Sequence, residues 1–480
     1  MGAITVVGLG PGDPSQLTSE ARKVLETASE IWLRTREHPA VAGLPDQAKL
    51  HSFDSYYEEG EDFAAVYSGI AEELTRLAKR AAGVVYAVPG HPLVGEATVK
   101  EVLARAEEEE LEVGIVAGLS FIEPTLAALG IDALDGLQVA DATEVAGRHH
   151  PPLNPDVPAL LGQLHSQCVA GDVKLVLMNQ YPDDHPVAVV NEAGTPGQRV
   201  EWLNLFELDR CGDVAQLTTL YVPPLEGVGA FEGLQDTVAR LRAPGGCPWD
   251  REQTHETLRS SLLEEAYEVA AAIDSGDVAA LQEELGDLLL QVLIHAQIAT
   301  EEGEFQAASV VSGIDSKLKH RHPHVFGDLK VSGSEEVLRN WERSKREEKG
   351  ERASVLDGVP VALPALQQAD AYSRRAARVG FDWSDPAGVA EKVQEELKEL
   401  ERAQTAEERE QELGDLLFAI VNWGRWLKVD AESALREANA RFADRFRRLE
   451  QKCREAGREP TELSIEELEA LWQEAKSALD

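Results

Sequence analysis

The chain has 480 residues, 43% hydrophobic and only 6% aromatic, with 46 basic against 86 acidic side chains for a formal charge of −40. That length exceeds one ordinary hydrophobic core and predicts several domains. The charge excludes a general polyanion binder, since phosphate-backbone affinity needs clustered Lys and Arg, and no apolar run approaches the ~20 residues of a membrane span.

The opening MGAITVVG lacks the basic flank and long apolar stretch of a secretion signal and reads as a first β-strand. Cys168, Cys211, Cys247 and Cys453 are scattered without a CxxC pair. They suggest neither a disulfide framework nor a zinc site, and a reducing cytoplasm is the expected location.

Residues 1–222 read as α/β. β-branched runs at 4–7, 83–88 and 174–178 predict strands, and amphipathic stretches at 19–30 and 63–80 predict helices. GLGPGD at 8–13 follows the first strand, but Asp13 stands where a GxGxxG fingerprint needs its third glycine. Three further strings follow, VPGHPLVGE at 88–96, AGLSFIEP at 117–124 and GLQVAD at 136–141. Together these segments resemble the tetrapyrrole (corrin/porphyrin) methylase family from residue 3 to about 222. The resemblance implies two α/β subdomains with S-adenosylmethionine in the cleft between them. Its contacts would be Gly8, Gly10 and Gly12, then Gly90, His91, Pro92 and Leu93, then Gly118, Ser120 and Phe121. Two loops depart from the family. Gly90-His91-Pro92 replaces Gly-Asp-Pro, and the Ala117–Phe121 string replaces Pro-Gly-x-Ser-Ser. The expectation is cofactor binding without tetrapyrrole methylation.

A Pro/Gly-rich break predicts a linker at 223–233. Beyond it the pattern is all-α. Asp385-Pro386 has the form of an N-cap followed by proline at the first helical position, and Thr405/Glu408 and Ser464/Glu467 have capping-box spacing.

This half contains an internal repeat. Glu264, Glu265 and Glu268 precede an ELGDLL string holding Glu284 and Asp287; Glu395, Glu396 and Glu399 precede a second one holding Glu412 and Asp415. Lys317 and Arg321 in the first copy correspond to Arg441 and Arg445 in the second. Residues three apart share a helix face, so Glu265 with Glu268 and Glu284 with Asp287 form two pairs. A short turn around Asp274–Asp277 brings the pairs together between antiparallel helices. Four converging carboxylates repel one another unless cations are bound, and an all-oxygen donor set selects Mg²⁺ or Mn²⁺. The isolated ExxE spacing is common on solvated helix faces. Here the acids sit among Ala266, Val269 and Ala270 and among Leu285, Leu288, Leu289 and Leu290, residues expected to face a core.

With the strings LRAPGGCPWDREQTH at 241–255, HRHPHVF at 320–326 and RVGFDW at 378–383, residues 234–480 resemble the MazG-type nucleoside triphosphate pyrophosphohydrolases. The resemblance implies hydrolysis of NTP to NMP and pyrophosphate, Mg²⁺ held by the acids, and a homodimer completing a four-helix core. It carries the metal ligands onto Glu265, Glu268, Glu284 and Asp287 and onto Glu396, Glu399, Glu412 and Asp415. Glu264 and Glu395 are a catalytic base or an added ligand, with the choice open. Lys317, Arg321, Arg441 and Arg445 are candidates for the outer phosphates, and Trp249, Asp250 and Gln253 for closing over the nucleotide; a solvated basic face and a packing tryptophan are the plainer readings. The HRHPH string reads as a basic loop terminus, because Pro323 interrupts helical spacing.

The expected architecture is therefore multidomain: a two-subdomain tetrapyrrole methylase-like α/β domain (1–222), a linker (223–233), a first MazG all-α domain (234–350), a linker (351–365) and a second (366–480). Nucleoside triphosphates are the expected partners, with no nucleic acid and no membrane. Two competing readings are an S-adenosylmethionine-dependent methyltransferase whose repeats serve dimerisation, and a regulator whose front half senses a ligand. The intact acidic sets favour the hydrolase.

Overall fold

The computed structural model describes residues 3–59, 62–349 and 354–477; 351–353 of the expected second linker lie outside them. The chain divides into two compact units, 1–310 and 311–480. The division falls within the 234–350 stretch.

The first unit opens with β1 (Ala3–Gly8), α1 (Ser19–Thr27), β2 (Glu30–Leu33), β3 (Lys49–Ser52), α2 (Asp54–Glu59), α3 (Phe63–Ala78), β4 (Val84–Val88), α4 (Ala97–Glu108) and β5 (Glu112–Val116). These strands form a parallel sheet in the order β3-β2-β4-β1-β5. Alternation explains why both faces are covered. Ile4, Val6, Val84, Tyr86 and Val88 point into one core with Ile70, Leu74 and Leu77 of α3. Val7 and Ala87 point into the other with Ala21 and Leu25 of α1.

α5 (Ile122–Leu129), β6 (Gln138–Asp141), α6 (Ala142–Ala146), β7 (Ala159–Gly162), α7 (Gln167–Leu177), β8 (Pro186–Asn191), β9 (Arg199–Asn204) and β10 (Thr218–Val222) follow. Their sheet is mixed, in the order β6-β7-β10-β8-β9, with only β6 and β7 parallel. The strand expected at 174–178 is instead the end of α7. Ser166 caps that helix, and Ala170, Val173, Val176 and Leu177 are buried at helical spacing. Within the run only Val176 and Leu177 belong to the packed stripe of an amphipathic helix, and Leu175 is exposed.

Asp156 connects this part to the helices. Its Oδ1 accepts from the Gly229 and Ala230 amides at 2.7 and 3.0 Å, just before α8 (Phe231–Arg242). α9 (Pro248–Glu252), α10 (His255–Ser275) and α11 (Val278–Glu302) complete the unit before α12 (Ala307–Arg321). Gly276 ends α10 at φ +71°, and Asp277 caps α11 through the Ala279 and Ala280 amides, so the predicted turn forms. Val238, Leu258, Leu293, Ile294 and Ile298 make a small core where α8 meets the hairpin. Farther along the same hairpin Leu263, Tyr267, Leu285 and Leu289 are exposed. Of the residues expected to face a core around the acids, Leu290 packs against that small core, while Leu285 and Leu289 are left exposed by the described residues.

In the second unit α13 (Pro323–Phe326), α14 (Ser334–Lys349), α15 (Ala365–Ala377), α16 (Pro386–Arg402), α17 (Ala406–Trp426), α18 (Ala431–Glu455) and α19 (Ile465–Ser477) follow. The predicted caps form at Asp385 and Thr405, and Ser464 and Glu467 exchange the two bonds of a capping box. α16 and α17 pack as a hairpin, with α15 against α17 and α18.

Candidate active site

Helical spacing on two antiparallel helices brings the acids together in each repeat. Carboxylate oxygens of Glu265, Glu268 and Glu284 lie within 4.8 Å of one another, and those of Glu396, Glu399 and Glu412 do the same. Asp287 and Asp415 join electrostatically. Partial burial and the charges of Asp287 and Glu268 push the Glu265 carboxyl above its ordinary value. Partial burial and the charges of Glu268, Glu283 and Asp287 raise Glu284, and burial with Glu399, Glu396 and Asp415 raises Glu412. Such mutual repulsion among oxygen donors fits a hard divalent cation.

The clusters differ in one respect. Lys392, one turn before Glu396, places Nζ 2.7 Å from Glu396 and 2.9 Å from Glu395. Glu396 is 5% exposed while the Lys392 side chain is 36% exposed, so a buried carboxylate meets a half-buried ammonium. The corresponding residue of the first repeat is Ser261. A Lys four before the ligand was the available sequence signal for this contact. Glu264 is exposed and outside the converging trio.

The loops before the acidic helices are clamped with opposite polarity. In the first repeat Arg242, its side chain 6% exposed, pairs with Glu301 of α11 at 2.8 Å. It also donates to the backbone carbonyls of Asp250 and, at 3.1 Å, of Gln253. Gln253 bonds the Trp249 carbonyl at 2.9 Å and accepts from Thr257 at 2.8 Å, while Trp249 stands 62% exposed. In the second, Asp382 accepts from Arg425 at 2.5 Å and from the Trp426 indole at 3.2 Å, and Trp383 lies against Gly388.

Among the basic candidates, Lys317 and Arg321 belong to the second unit and the first acidic cluster to the first. Arg321 stacks on Trp341 at 5.5 Å. Arg441 is paired with Glu437 at 3.4 Å, and Arg445 has a buried Nε without a hydrogen-bond partner.

The three front loops meet at the carboxyl ends of β1, β4 and β5, where open α/β sheets bind ligands. A Cβ on Gly8 would lie 2.5 Å from the Gly90 carbonyl oxygen and 2.6 Å from the Gly118 nitrogen. Gly10 and Gly90 exchange backbone bonds at 3.2 and 2.8 Å. Asp13 caps the short turn after its loop through Ser15 at 2.7 Å. His91 Nδ1 accepts from the Leu93 amide at 3.1 Å, the i to i+2 bond an aspartate makes in such a turn. Pro92 is buried beneath it and Leu93 is exposed. Ser120 is buried and donates its amide and hydroxyl to Glu123 at 2.8 and 2.7 Å; Phe121 lies against Gly162 of β7. Arg34 and Glu96, ion-paired at 3.1 Å close by in sequence to the second loop, were not anticipated.

Residues 253–326 match the MazG nucleotide pyrophosphohydrolase domain family, and residues 3–209 the tetrapyrrole (corrin/porphyrin) methylases. The uncharacterized protein YabN of Bacillus subtilis is 42% identical over 99% of this chain and 98% of its own length. The nucleoside triphosphate pyrophosphohydrolase/pyrophosphatase MazG of Thermotoga maritima is 47% identical over 51% of this chain and 95% of its own. Uroporphyrin-III-C-methyltransferase from Thermus thermophilus aligns over 46% of this chain and 94% of that chain at 24% identity, with a TM-score of 0.38.

Proposed function

We propose that this chain, which belongs to the MazG nucleotide pyrophosphohydrolase family and carries a tetrapyrrole methylase-like front half, hydrolyses nucleoside triphosphates to the monophosphate and pyrophosphate. The observation that carries this reading is the convergence of three carboxylates within 4.8 Å, made twice by corresponding residues. Glu265, Glu268, Glu284 and Asp287 would hold Mg²⁺ or Mn²⁺ in one repeat, and Glu396, Glu399, Glu412 and Asp415 in the other. The bound cation supplies charge neutralisation of the polyphosphate and a more acidic water. Glu264, and Glu395 beside the Lys392 ammonium, are assigned to accept the proton of the attacking water, and Arg441, Arg445, Lys317 and Arg321 are assigned to the phosphates. Trp249, with Asp250 and Gln253, is assigned to close over the nucleotide. In the cell the activity would clear unwanted nucleotides from the pool.

A second copy of the chain is the partner we assign to the exposed apolar residues beside the acids, Leu263, Tyr267, Leu285 and Leu289. Domain limits at 1–222, 234–350 and 366–480 are retained as part of this reading. The front half would bind S-adenosylmethionine at its three loops without methylating tetrapyrroles. Four unpaired cysteines suit a reducing cytoplasm, and no described helix is long and apolar enough to cross a membrane.

The test is incubation of the full chain with a panel of ordinary and modified nucleoside triphosphates and Mg²⁺. Pyrophosphate with NMP is expected; orthophosphate with NDP overturns the assigned bond.

A further inference from the structure

A polar cluster sits at the carboxyl ends of β2 and β4, next to the loops assigned to the cofactor. Arg34 follows β2 directly, and its amide donates to the Ala87 carbonyl of β4 at 3.0 Å. Glu96 ends the 88–96 string. A Cβ on Gly12 would lie 3.9 Å from Pro39, the residue after His38. The crevice beyond the carboxyl ends of such strands is where open α/β sheets take their ligands.

The Arg34 side chain is gripped at two points. Nε donates to the Tyr57 hydroxyl and Nη1 to Glu96, both at 3.1 Å. Nη2 has no partner among the described residues, and 28% of the side chain remains exposed. Behind it Glu96 and His38 are buried. The second oxygen of Glu96 and both ring nitrogens of His38 are shielded from water without a hydrogen-bond partner. Unpaired buried groups are costly and gather where a protein binds or reacts. Burial, and then Arg34, push the His38 imidazole down to about 4, so it is neutral. Among the described residues of this cluster Arg34 is therefore the only cation, and Glu96 already faces it.

An aromatic wall leads outward from the guanidinium. Tyr67 stands edge-on to Tyr57 at 6.4 Å, and Phe63 stacks on Tyr67 at 6.0 Å and 22° while 67% exposed. Burial and then Tyr57 raise the Tyr67 hydroxyl, and the charges that reach it include Asp141, at the end of β6 in the other sheet. Gln163, just past β7, donates to the Gly95 carbonyl at 3.0 Å. Both sheets thus contribute to one cleft.

We propose that this cleft binds an uncharged planar group of the amide or lactam kind, its carbonyl oxygen on Nη2 of Arg34 and its plane along Tyr67 and Phe63. A ligand rich in carboxylates needs several cations, and the cluster has one, already paired and opposed by Asp141. A cationic ligand would meet the guanidinium. A neutral carbonyl needs a single fixed donor, which a fork held at Nε and Nη1 supplies, and flat groups pack well on aromatic faces. Tyr57 and Glu96 are positioning residues. The inference goes beyond the pyrophosphohydrolase reading and uses none of its residues.

The experiment uses the full chain without Mg²⁺, at a pH above the value of about 7 to which burial raises Glu96. Benzamide is compared by calorimetry with its charged isosteres benzoate and benzamidinium, and uridine serves as the ring lactam. Benzamide, uridine or both should bind at one site, and each charged isostere at least about tenfold more weakly, since a buried mismatch of charge is costly. Arg34→Gln should weaken the neutral ligand about tenfold or more. Phe63→Ser, an exposed change that spares the fold, should weaken it about fivefold. Benzamide binding without uridine assigns an open amide, and the reverse assigns a ring lactam. Tighter binding of a charged isostere, neutral binding that either variant leaves unchanged, or no binding of either neutral compound at millimolar concentration overturns the site. Pyrophosphate release should be the same in both variants, so this result and the hydrolase assay fail separately.

Discussion

Lys392 Nζ lies 2.7 Å from the carboxylate of Glu396, so the second acidic cluster already contains a positive charge where the first has Ser261. Hydrogen bonds that the ammonium donates to Glu396 and then Glu395 hold it well above the ordinary lysine range. It is therefore charged wherever the enzyme works, and it competes with any cation for Glu396. Two classes of Mn²⁺ site are expected by electron paramagnetic resonance titration, the tighter one lost in Glu265→Gln. Lys392→Met should tighten the weaker class about tenfold. Equal sites in the wild type, unaffected by that variant, would contradict this account.

The same asymmetry bears on catalysis. Loss of one ligand carboxylate leaves the cation under-coordinated and weakens charge stabilisation in the transition state, at a cost of ~10²-fold or more. Glu268→Gln and Glu399→Gln should each silence one site and leave the other measurable, with different nucleotide preferences because Trp249 precedes one site and Asp382-Trp383 the other. The double variant should be inert and fully helical by circular dichroism. If either single variant removes all pyrophosphate release, the other repeat is a structural partner; if the double variant stays active, the carboxylates do not carry the chemistry.

What was legible beforehand followed from local rules. The acids could be paired because three-residue spacing on a helix needs no tertiary information, and the caps at Asp385 and Thr405 are equally local. The Val-Leu run at 174–178 misled because β-branched residues on a buried helix stripe resemble a strand until the cap at Ser166 is weighed. Leu285 and Leu289 were expected in a core, yet they lie on a face that the described residues leave exposed. Contacts between residues far apart in sequence, such as Arg242 with Glu301 or His255 with His295, have no local signature. The replacement of an aspartate by His91 was plain in the sequence, but that its ring still closes the turn is visible only once the Leu93 amide is placed.

Glu96 makes the front half sensitive to pH. It is 5% exposed, with one oxygen on Arg34 at 3.1 Å and the other buried without a partner. Burial, outweighing Arg34, pushes its carboxyl from 4.5 up to about 7. Because the folded value lies above the unfolded one, its contribution is fully present below pH 4.5 and is lost as pH rises through about 7. The loss is on the order of 3 kcal/mol. Glu96→Gln lacks the titration, so the thermal midpoint of the variant should gain on the wild type steadily across that window. Parallel curves for the two proteins would show that Glu96 does not titrate there.

The front loops give the sharpest substitution test of cofactor binding. A methyl on Gly8 would meet backbone atoms of Gly90 and Gly118 at 2.5 and 2.6 Å, and backbone has no rotamer by which to yield. Gly8→Ala should therefore spread all three loops at once. S-adenosylmethionine binding, measured by calorimetry on the full chain, should fall below detection and the thermal midpoint should drop. His91 separates turn geometry from residue identity, since its ring acts on the loop by accepting one amide at 3.1 Å. His91→Asp restores that acceptor and should bind within about threefold of wild type. His91→Ala removes a hydrogen bond worth ~1 kcal/mol and should bind about fivefold more weakly. Pyrophosphate release should be unchanged in both His91 variants, because the acidic clusters lie on other elements. Undiminished binding in Gly8→Ala would place the cofactor elsewhere, and an equal loss in His91→Asp and His91→Ala would mean that the imidazole itself, and not the turn it closes, is what the ligand meets.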